Sequence, residues 1–336
     1  MTFQNLTVST HYARAIIETA VIRGYSPAPL LRAAGIHEGM LSSEVTRITP
    51  EQLARLVQAA WVTEDDEFLG MGATKCRYGV FSLMAKQAVF CKNLRGVYRH
   101  ICRFYNLTTS ALELEFLNDE TEASIRMHLS DPAHDKDHML AEFLMLLWHR
   151  FPAWLIGKRI PLNKISFEFD KPGHFEEYRL LFPCPVLFNQ PATQFTFQSK
   201  MLVSPVVQTQ DTLKTHLRRA PLDWFSRQTY YPAHTRKVLD ALTNDDGFVD
   251  LQIEQIAKSM NMTSRTLRRK LSDENTSFQE IKNLSRRDIA IHLLSRRDLS
   301  IATIAHKLGY SEVASFSRAF KLWTGFEPSR YRIDPS

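Results

Sequence analysis

The segment HDKDH, residues 134–138, carries residue types that bind metal ions. On a helix, His134 and His138 stand four positions apart, so both imidazoles would lie on one face beside two aspartates. A polar helix entry near Pro132 explains the same residues, because acidic side chains stabilise the N-terminal end of a helix. We favour the helix entry, and the sequence predicts no metal site and no cofactor.

Cysteine chemistry is a second candidate. The cysteines are scattered, and no pair has the C-x-x-C spacing of a zinc or redox site. A sensor of oxidants needs a thiol with a lowered pKa, and nothing nearby predicts one; buried free cysteines are common. The four cysteines are too few and too scattered for a disulfide framework, which suits a reducing cytoplasm, where we expect the protein. These cysteines are Cys76, Cys91, Cys102 and Cys184.

No pattern typical of catalysis stands out elsewhere. The tripeptide GMG at residues 70–72 lacks the rest of a nucleotide-binding motif and is more typical of a turn. Neither a Ser-His-Asp set nor a carboxylate pair is visible, so we expect the protein not to be an enzyme. Five basic or phenolic side chains could hold an anionic ligand, although arginines on helix surfaces are usually solvated. They are Arg77, Tyr78, Arg99, Arg103 and Tyr105.

The positive charge of the chain is concentrated at its C-terminal end. The whole sequence has 42 basic and 36 acidic residues, a net charge of +6. From Lys214 to the end there are 21 basic and 14 acidic residues, a net charge of +7, whereas residues 1–213 carry 21 and 22, a net charge of −1. This difference favours a C-terminal module that binds a polyanion; a solvated basic surface is the alternative.

The elements that must position these residues change in type along the chain. Helical spacing and strand alternation both occur before residue 213, and Thr49 is placed to cap a helix that starts with Pro50. Helices are expected at 11–24, 50–61, 81–105 and 137–154, a β-hairpin at 111–129, and strands at 164–172 and 193–202. We therefore expect an α+β domain over residues 1–213, a linker over 214–232 and an all-α domain over 233–336.

The most apolar stretch, Met139 to Gly157, contains Glu142, His149 and Arg150 and an internal proline. Because these groups would be costly in a bilayer, we expect no membrane contact. Its apolar residues surround the helix, so it is either central core or partly a subunit interface. We predict that residues 1–213 alone form a homodimer, with interface residues in or beside this helix.

Two segments of the basic third are copies of one pattern. QIAKSMNMTSRTLRRKLSDENTSF starts at Gln255, and TIAHKLGYSEVASFSRAFKLWTGF starts at Thr303. Each copy is typical of a helix, a tight turn and a second helix. The turn falls on Asn261 in one copy and Gly309 in the other, the residue types that adopt a positive φ most readily.

A hydroxyl side chain is expected to cap the second helix of each copy. The candidates are Thr263 or Ser264 in the first copy and Ser311 in the second. Apolar residues then sort the faces of these helices. Leu267 and Leu271 face the core in the first copy, and the core of the second is Tyr310, Phe316, Phe320 and Trp323.

Three ordered pieces of sequence carry a family resemblance. They are IAKSMNMTSRTLRRKL at 256–271, SRRDIAIHLL at 285–294 and IAHKLGYSEVASFSRAFKLWTGFEPSRYR at 304–332. Together they resemble the DNA-binding domain of the AraC/XylS family of bacterial transcription regulators. The resemblance implies two helix-turn-helix units held apart by a long helix, about Phe278 to Ser295, so that their second helices enter successive major-groove segments. A purely structural helical repeat is the alternative.

The polar residues on the second helices are then the expected DNA contacts. Arginine forks in the first copy can pair with guanine O6 and N7 or grip phosphates. The second copy offers shorter side chains at its exposed end, so we expect it to position the protein more than it specifies sequence. The predicted DNA-binding residues are Ser264, Arg265, Thr266, Arg268, Arg269, Ala314, Ser315, Ser317, Arg318 and Lys321.

The N-terminal region resembles the arabinose-binding-type sensor domain of a branch of this family, which begins with helices. The segments that carry this resemblance lie at 30–36, 48–60, 65–88 and 169–206. The resemblance implies a domain that senses a ligand or dimerises. The expected partners are double-stranded promoter or operator DNA, a second copy of the chain, a small-molecule effector and RNA polymerase, with activator as the expected role.

The leading function is therefore a sequence-specific transcription regulator. One alternative is an enzyme targeted to DNA by this domain, such as a DNA alkyl-transfer protein. That chemistry needs a compact four-cysteine zinc cluster near the N-terminus, and the first cysteine here is Cys76. Another alternative is a non-specific architectural DNA binder, which the ratio of specific to random-sequence affinity distinguishes.

Overall fold

A computed structural model describes residues 7–42, 46–182, 184–225, 233–244, 247–274, 276–295 and 298–332. Contacts divide the chain into two compact units. One, called here the sensor unit, comprises residues 11–34 and 53–228. The other, called the helix-turn-helix unit, comprises residues 1–10, 35–52 and 229–336, so parts of the N-terminal region belong to it.

The N-terminal two thirds contain both helices and strands, as predicted, and the α+β interpretation is confirmed. The helices are α1 (Thr10–Ile22), α2 (Pro27–Ala34), α3 (Pro50–Glu64), α4 (Val80–Ala88), α5 (Leu94–Thr108), α6 (Met139–Leu155), α7 (Tyr178–Leu181), α8 (Gln210–Arg219) and α9 (Leu222–Phe225). The strands are β1 (Val8–Ser9), β2 (Arg47–Ile48), β3 (Leu112–Asn118), β4 (Glu122–Leu129), β5 (Leu162–Ser166), β6 (Val186–Leu187) and β7 (Thr193–Gln198).

The sensor unit is built around a five-stranded sheet with strand order β3-β4-β7-β5-β6. The predicted hairpin is β3 and β4, paired antiparallel with Leu114 opposite Met127. Alternation along each strand gives the sheet an apolar face, on which Ile125 and Phe195 are fully buried, and a polar face. This alternation is the pattern that made the strands visible in the sequence.

Helix α6 lies in the interior of the chain. All its side chains are buried except that of Trp154, which is half-buried. The core interpretation of this stretch is therefore the one the structure shows, and these side chains are not available to a second copy. No helix in the described ranges is long and apolar enough to cross a membrane.

Helix caps explain several boundaries. Thr49 and Gln52 form a reciprocal pair at the start of α3: Gln52 N donates to Thr49 Oγ1 (3.1 Å) and Thr49 N donates to Gln52 Oε1 (2.9 Å). The pattern at 81–105, predicted as one helix, is two helices, because Asn93 interrupts it and caps α5 by accepting from Gly96 N.

Part of the predicted linker 214–232 is helical. Helix α8 ends at Arg219 and α9 follows, and Trp224 in α9 is 2% exposed. Its ring packs against Trp61, Phe81 and Phe143 of the sensor unit. Residues 226–232 lie outside the described residues.

The C-terminal part of the helix-turn-helix unit is mainly helical. Its helices are α10 (Ala233–Leu242), α11 (Ile253–Ser259), α12 (Ser264–Asp273), α13 (Phe278–Ser295), α14 (Ile301–Lys307) and α15 (Val313–Thr324). Two short strands, β8 (Thr243–Asn244) and β9 (Gly247–Phe248), pair antiparallel between α10 and α11.

Strands β1 and β2 pair with each other and bring the N-terminal region into this unit. Thr7 Oγ1 donates to Asp288 Oδ1 of α13 (2.7 Å), and Arg47 Nε donates to Thr7 Oγ1 (2.7 Å). Arg47 N also donates to the hydroxyl of Tyr331 (3.3 Å). Because these groups are buried, the bonds fix the β1-β2 ribbon against the C-terminal helices.

Candidate nucleic-acid interface

Helices α11 and α12 form the first helix-turn-helix. Asn261 occupies the turn with φ +53°, as predicted. Of the two proposed caps, Thr263 is the one observed: its hydroxyl accepts from Thr266 N (3.2 Å). Leu267 and Leu271 are fully buried and join a cluster with α10 and α11. Burial of these two leucines turns the other side of α12 outward.

Helices α14 and α15 form the second helix-turn-helix. Gly309 takes the turn with φ +80°. The expected Ser311 cap is wrong: α15 starts one residue later, with Glu312 as N-cap and no side-chain cap bond. Phe316 and Phe320 are fully buried as predicted, while Tyr310 and Trp323 are half-buried, and the four rings form a chain of contacts.

The predicted DNA-binding residues on α12 differ in exposure. Arg265, Arg268 and Arg269 are exposed, whereas Ser264 and Thr266 are half-buried. Arg268 Nη2 lies 3.5 Å from Glu254 Oε1 of α11, and both side chains are more than half exposed. Arg265 and Arg269 have no ion-pair partner within the described segments, so their forks remain free for an external acceptor.

The predicted residues on α15 present less charge. Ala314, Arg318 and Lys321 are exposed, and Ser315 and Ser317 are half-buried. Arg318 contacts the Ser315 hydroxyl (3.4 Å) and Lys321 pairs with Glu327 (3.0 Å). Sequence reasoning missed Leu322, which is 85% exposed on the same helix.

Helix α13 ties the two helix-turn-helix motifs together through Asp250, which precedes α11. Lys282 Nζ and Arg286 Nη2 of α13 lie 2.6 and 3.3 Å from the same Asp250 oxygen. Arg286 Nε donates to Leu308 O at the end of α14 (3.1 Å), and its guanidinium lies over the Tyr310 ring. One arginine of α13 thus contacts both the residue that precedes the first motif and the turn of the second motif.

The N-terminal candidates for an anion pocket do not converge. Tyr105 is 1% exposed on the core side of α5, whereas Arg99 and Arg103 lie on its solvent side. Arg77 is exposed and pairs with Asp65 (2.9 Å), while Tyr78 is 53% exposed. A helix with two faces separates residues that the sequence places close together.

Of the residues considered for metal binding and thiol chemistry, Asp135 has a structural role, Cys76 and Cys102 are buried, and Cys91 and Cys184 are half-buried. Asp135 accepts hydrogen bonds from Leu140 N and Ala141 N (2.9 Å each), so it caps α6. Within the described residues no group of histidine, cysteine and carboxylate side chains is arranged to hold a metal ion. All four cysteines are free thiols, and burial raises the pKa of each, to about 12 for Cys102 and Cys184.

A buried polar cluster in the sensor unit was not predicted. The carboxyl group of Glu142 in α6 accepts from the Tyr12 hydroxyl (3.0 Å) and from the Tyr178 hydroxyl, and His174 Nε2 lies 2.8 Å away. The cluster joins α1, α6 and α7. The only sequence signal was one acidic residue in an otherwise apolar helix, because its partners are more than 30 residues away.

Comparisons with known proteins agree with this architecture. The family model described as the arabinose-binding domain of AraC transcription regulator, N-terminal, matches residues 24–206, and a helix-turn-helix domain model matches residues 256–333. The chain is 26% identical over 332 residues to the ornithine utilization regulator of Pseudomonas aeruginosa, covering 98% of this chain and 97% of that protein.

Two further matches come from the same organism. The transcriptional regulator VqsM is 41% identical over 76 residues, which is 23% of each chain. The crystal structure of the transcriptional regulator CdpR aligns over 96% of this chain and 98% of that one, with 19% identity and a TM-score of 0.35. On the sensor-domain match over more than half of its length, together with the helix-turn-helix match that follows, the chain belongs to the AraC family of DNA-binding transcription regulators.

Proposed function

We propose that the protein is a sequence-specific regulator whose helices α12 and α15 enter successive segments of the major groove. Residues 1–213 would serve as the sensing and dimerising domain, 214–232 as the linker and 233–336 as the DNA-binding domain. The ten residues predicted from the sequence are the proposed DNA contacts, with α12 as the main reader of bases and α15 as the positioning helix.

The observation that carries this proposal is the exposed side of α12. Burial of Leu267 and Leu271 leaves three arginines outward on a helix of ten residues. Arginine is the side chain best suited to pair with guanine in the major groove, through two parallel N–H donors. A solvated face with no partner would not need three arginines beside a hydroxyl-capped N-terminus that can also approach phosphates.

Dimerisation and effector control extend the proposal. A dimer would raise operator affinity, because the second DNA-binding domain then acts at a high effective concentration. The arabinose-binding-type domain supports a small-molecule effector, and the name of the ornithine utilization regulator makes L-ornithine the first compound to test. RNA polymerase is the proposed protein partner if the regulator activates.

The experiment is footprinting of the full chain on genomic fragments, with and without metabolite extract. We expect a protected site that spans about two turns of duplex per monomer, with an affinity at least about 1,000-fold above that for random DNA. Equal affinity for every fragment would leave an architectural DNA binder, and no binding to any duplex would leave a structural helical repeat.

A further inference from the structure

Among the described residues, one arginine of the sensor unit is buried without an anionic partner. Arg150 lies in the C-terminal half of α6 and is 4% exposed. Its Nη2 donates to Leu181 O at the end of α7 (3.0 Å), and its Nε and Nη1 have no hydrogen-bond partner in the part of the chain that the structure describes. A buried guanidinium needs compensation, because burying an unpaired charge is costly.

The charges around Arg150 do not supply that compensation. Burial, and then the positive charge of Arg159, lower its pKa to about 10. At neutral pH the group therefore stays protonated. Its neighbour His149 is held neutral: burial, and then the charge of Arg150, lower the pKa of His149 to about 3, and its Nε2 lies 2.8 Å from Ile160 O.

The unsatisfied atoms have a defined geometry. A guanidinium offers one pair of parallel N–H groups from Nε and Nη2 and another from Nη1 and Nη2. Leu181 O takes one hydrogen of Nη2, so one complete pair is left whichever hydrogen is used. The two oxygens of a carboxylate match such a pair with two parallel hydrogen bonds.

We propose that Arg150 is the anion-binding residue of a small-molecule site in the sensor unit, and that its ligand is a carboxylate. A singly charged anion balances the single buried positive charge, whereas the second charge of a phosphate would need another buried cation and Arg159 is exposed. This inference rests on the proposed effector function and names the chemical class of the effector.

The alternative is that Arg150 only fastens the end of α7 through Leu181 O. Substitution by methionine separates the two roles, because methionine keeps a flexible unbranched side chain of similar volume but removes charge and donors. If Arg150 binds an anion, R150M loses a response to carboxylates. If it only fastens α7, R150M loses stability and no variant responds to carboxylates.

The test is thermal unfolding of the full chain in about 100 mM sodium acetate against sodium chloride of equal concentration, with acetamide added to chloride as the uncharged isostere. Acetate should raise the Tm of the native protein by about 2 °C or more above both references. The rise in Tm from chloride to acetate should be smaller in R150M than in the native protein by about 2 °C or more, while R99M, which removes an exposed arginine from α5, should respond like the native protein. A general salt effect acts on all three proteins and cancels.

A second measurement needs no stable methionine variant. The Nε–H resonance of Arg150, assigned by its loss in R150K, should shift with acetate and not with acetamide. Equal Tm values of the native protein in acetate and chloride, or an acetate response in R150M as large as that of the native protein, would overturn the inference. Footprinting of the native protein tests the proposed function separately. A footprint without an acetate effect on Tm would contradict only the carboxylate site, whereas the absence of any footprint would contradict the proposed function.

Discussion

At the scale of single residues, the arginines of α12 differ in what holds them. Arg268 forms an ion pair with Glu254, with 3.5 Å between Nη2 and Oε1. Arg265 and Arg269 extend from the helix without an ion pair in the described part of the chain. An ion pair between two exposed side chains contributes roughly 0–1 kcal/mol to stability. Glu254 therefore matters more for the electrostatics of this surface than for the fold.

The substitution E254Q tests this difference. It removes a negative charge beside the proposed DNA contacts of α12 and releases Arg268, while the free energy of unfolding should change by less than about 0.5 kcal/mol. We expect tighter binding to DNA of any sequence and a salt slope steeper by about 1, measured by fluorescence anisotropy over a series of salt concentrations. An unchanged salt slope would mean that Arg268 does not approach a phosphate.

Asp135 gives a prediction about pH. It is 3% exposed, and burial raises its pKa to about 7 against the hydrogen bonds from Ala141 N and Leu140 N. In the unfolded chain the pKa of an aspartate is about 4, so between pH 4 and pH 7 the folded chain holds a proton on Asp135 that the unfolded chain has released. The free energy of unfolding therefore falls as the pH rises through this range, by roughly 2–4 kcal/mol.

The substitution D135N removes that titration. Denaturant unfolding between pH 4 and 7 should show a weaker fall in stability for D135N than for the native protein, although the variant loses one of two cap acceptors. The matched control is D131N, whose side chain is half exposed and should leave the pH dependence intact. A native slope retained in D135N would show that Asp135 ionises normally.

At the scale of elements, the sequence predicted what local patterns determine. The turns at Asn261 and Gly309, the cap at Thr263 and the hairpin β3-β4 each depend on residues within a few positions of one another. The strands β1 and β2 were missed because each has two residues and its partner lies about 40 positions away. Arg150 was noticed only as a charge in an apolar stretch, since its contact with α7 is set by the fold.

The substitution D250A tests whether α13 fixes the relative position of the two helix-turn-helix motifs. In D250A, Lys282, whose side chain is 8% exposed, loses its carboxylate, so the free energy of unfolding should fall by about 1–3 kcal/mol. Affinity for a full two-turn site should fall more than affinity for a half-site, because only the full site needs both motifs. The control D273A removes an exposed acid of equal charge from α12. It should change the affinities for the full site and for the half-site by the same factor.

At the scale of the whole molecule, the N-terminal ribbon and the C-terminal helices form one unit. Helices α1 and α3 each begin in that unit and continue into the sensor unit. The chain therefore passes from one unit to the other within each of these two helices. The full chain is therefore the proper object for solution experiments.

Dimerisation is predicted for the full chain. Sedimentation at micromolar concentration should give about twice the monomer mass of 38.8 kDa. Because the side chains of α6 are buried in the chain, the interface must use exposed residues beside this helix. A monomer at every concentration tested would leave effector sensing as the proposed role of the N-terminal domain.

We propose that α12 reads bases and that α15 positions the protein on DNA. The most direct measurement compares the affinities of R265A, R268A, R269A and R318A for the operator and for random DNA at one salt concentration. We predict that each α12 substitution that removes a bidentate base contact costs about 1–3 kcal/mol on the operator and lowers the specificity ratio. R318A should weaken binding to both DNAs alike. If all four folded variants kept full operator affinity, the assignment of the recognition helices would be wrong.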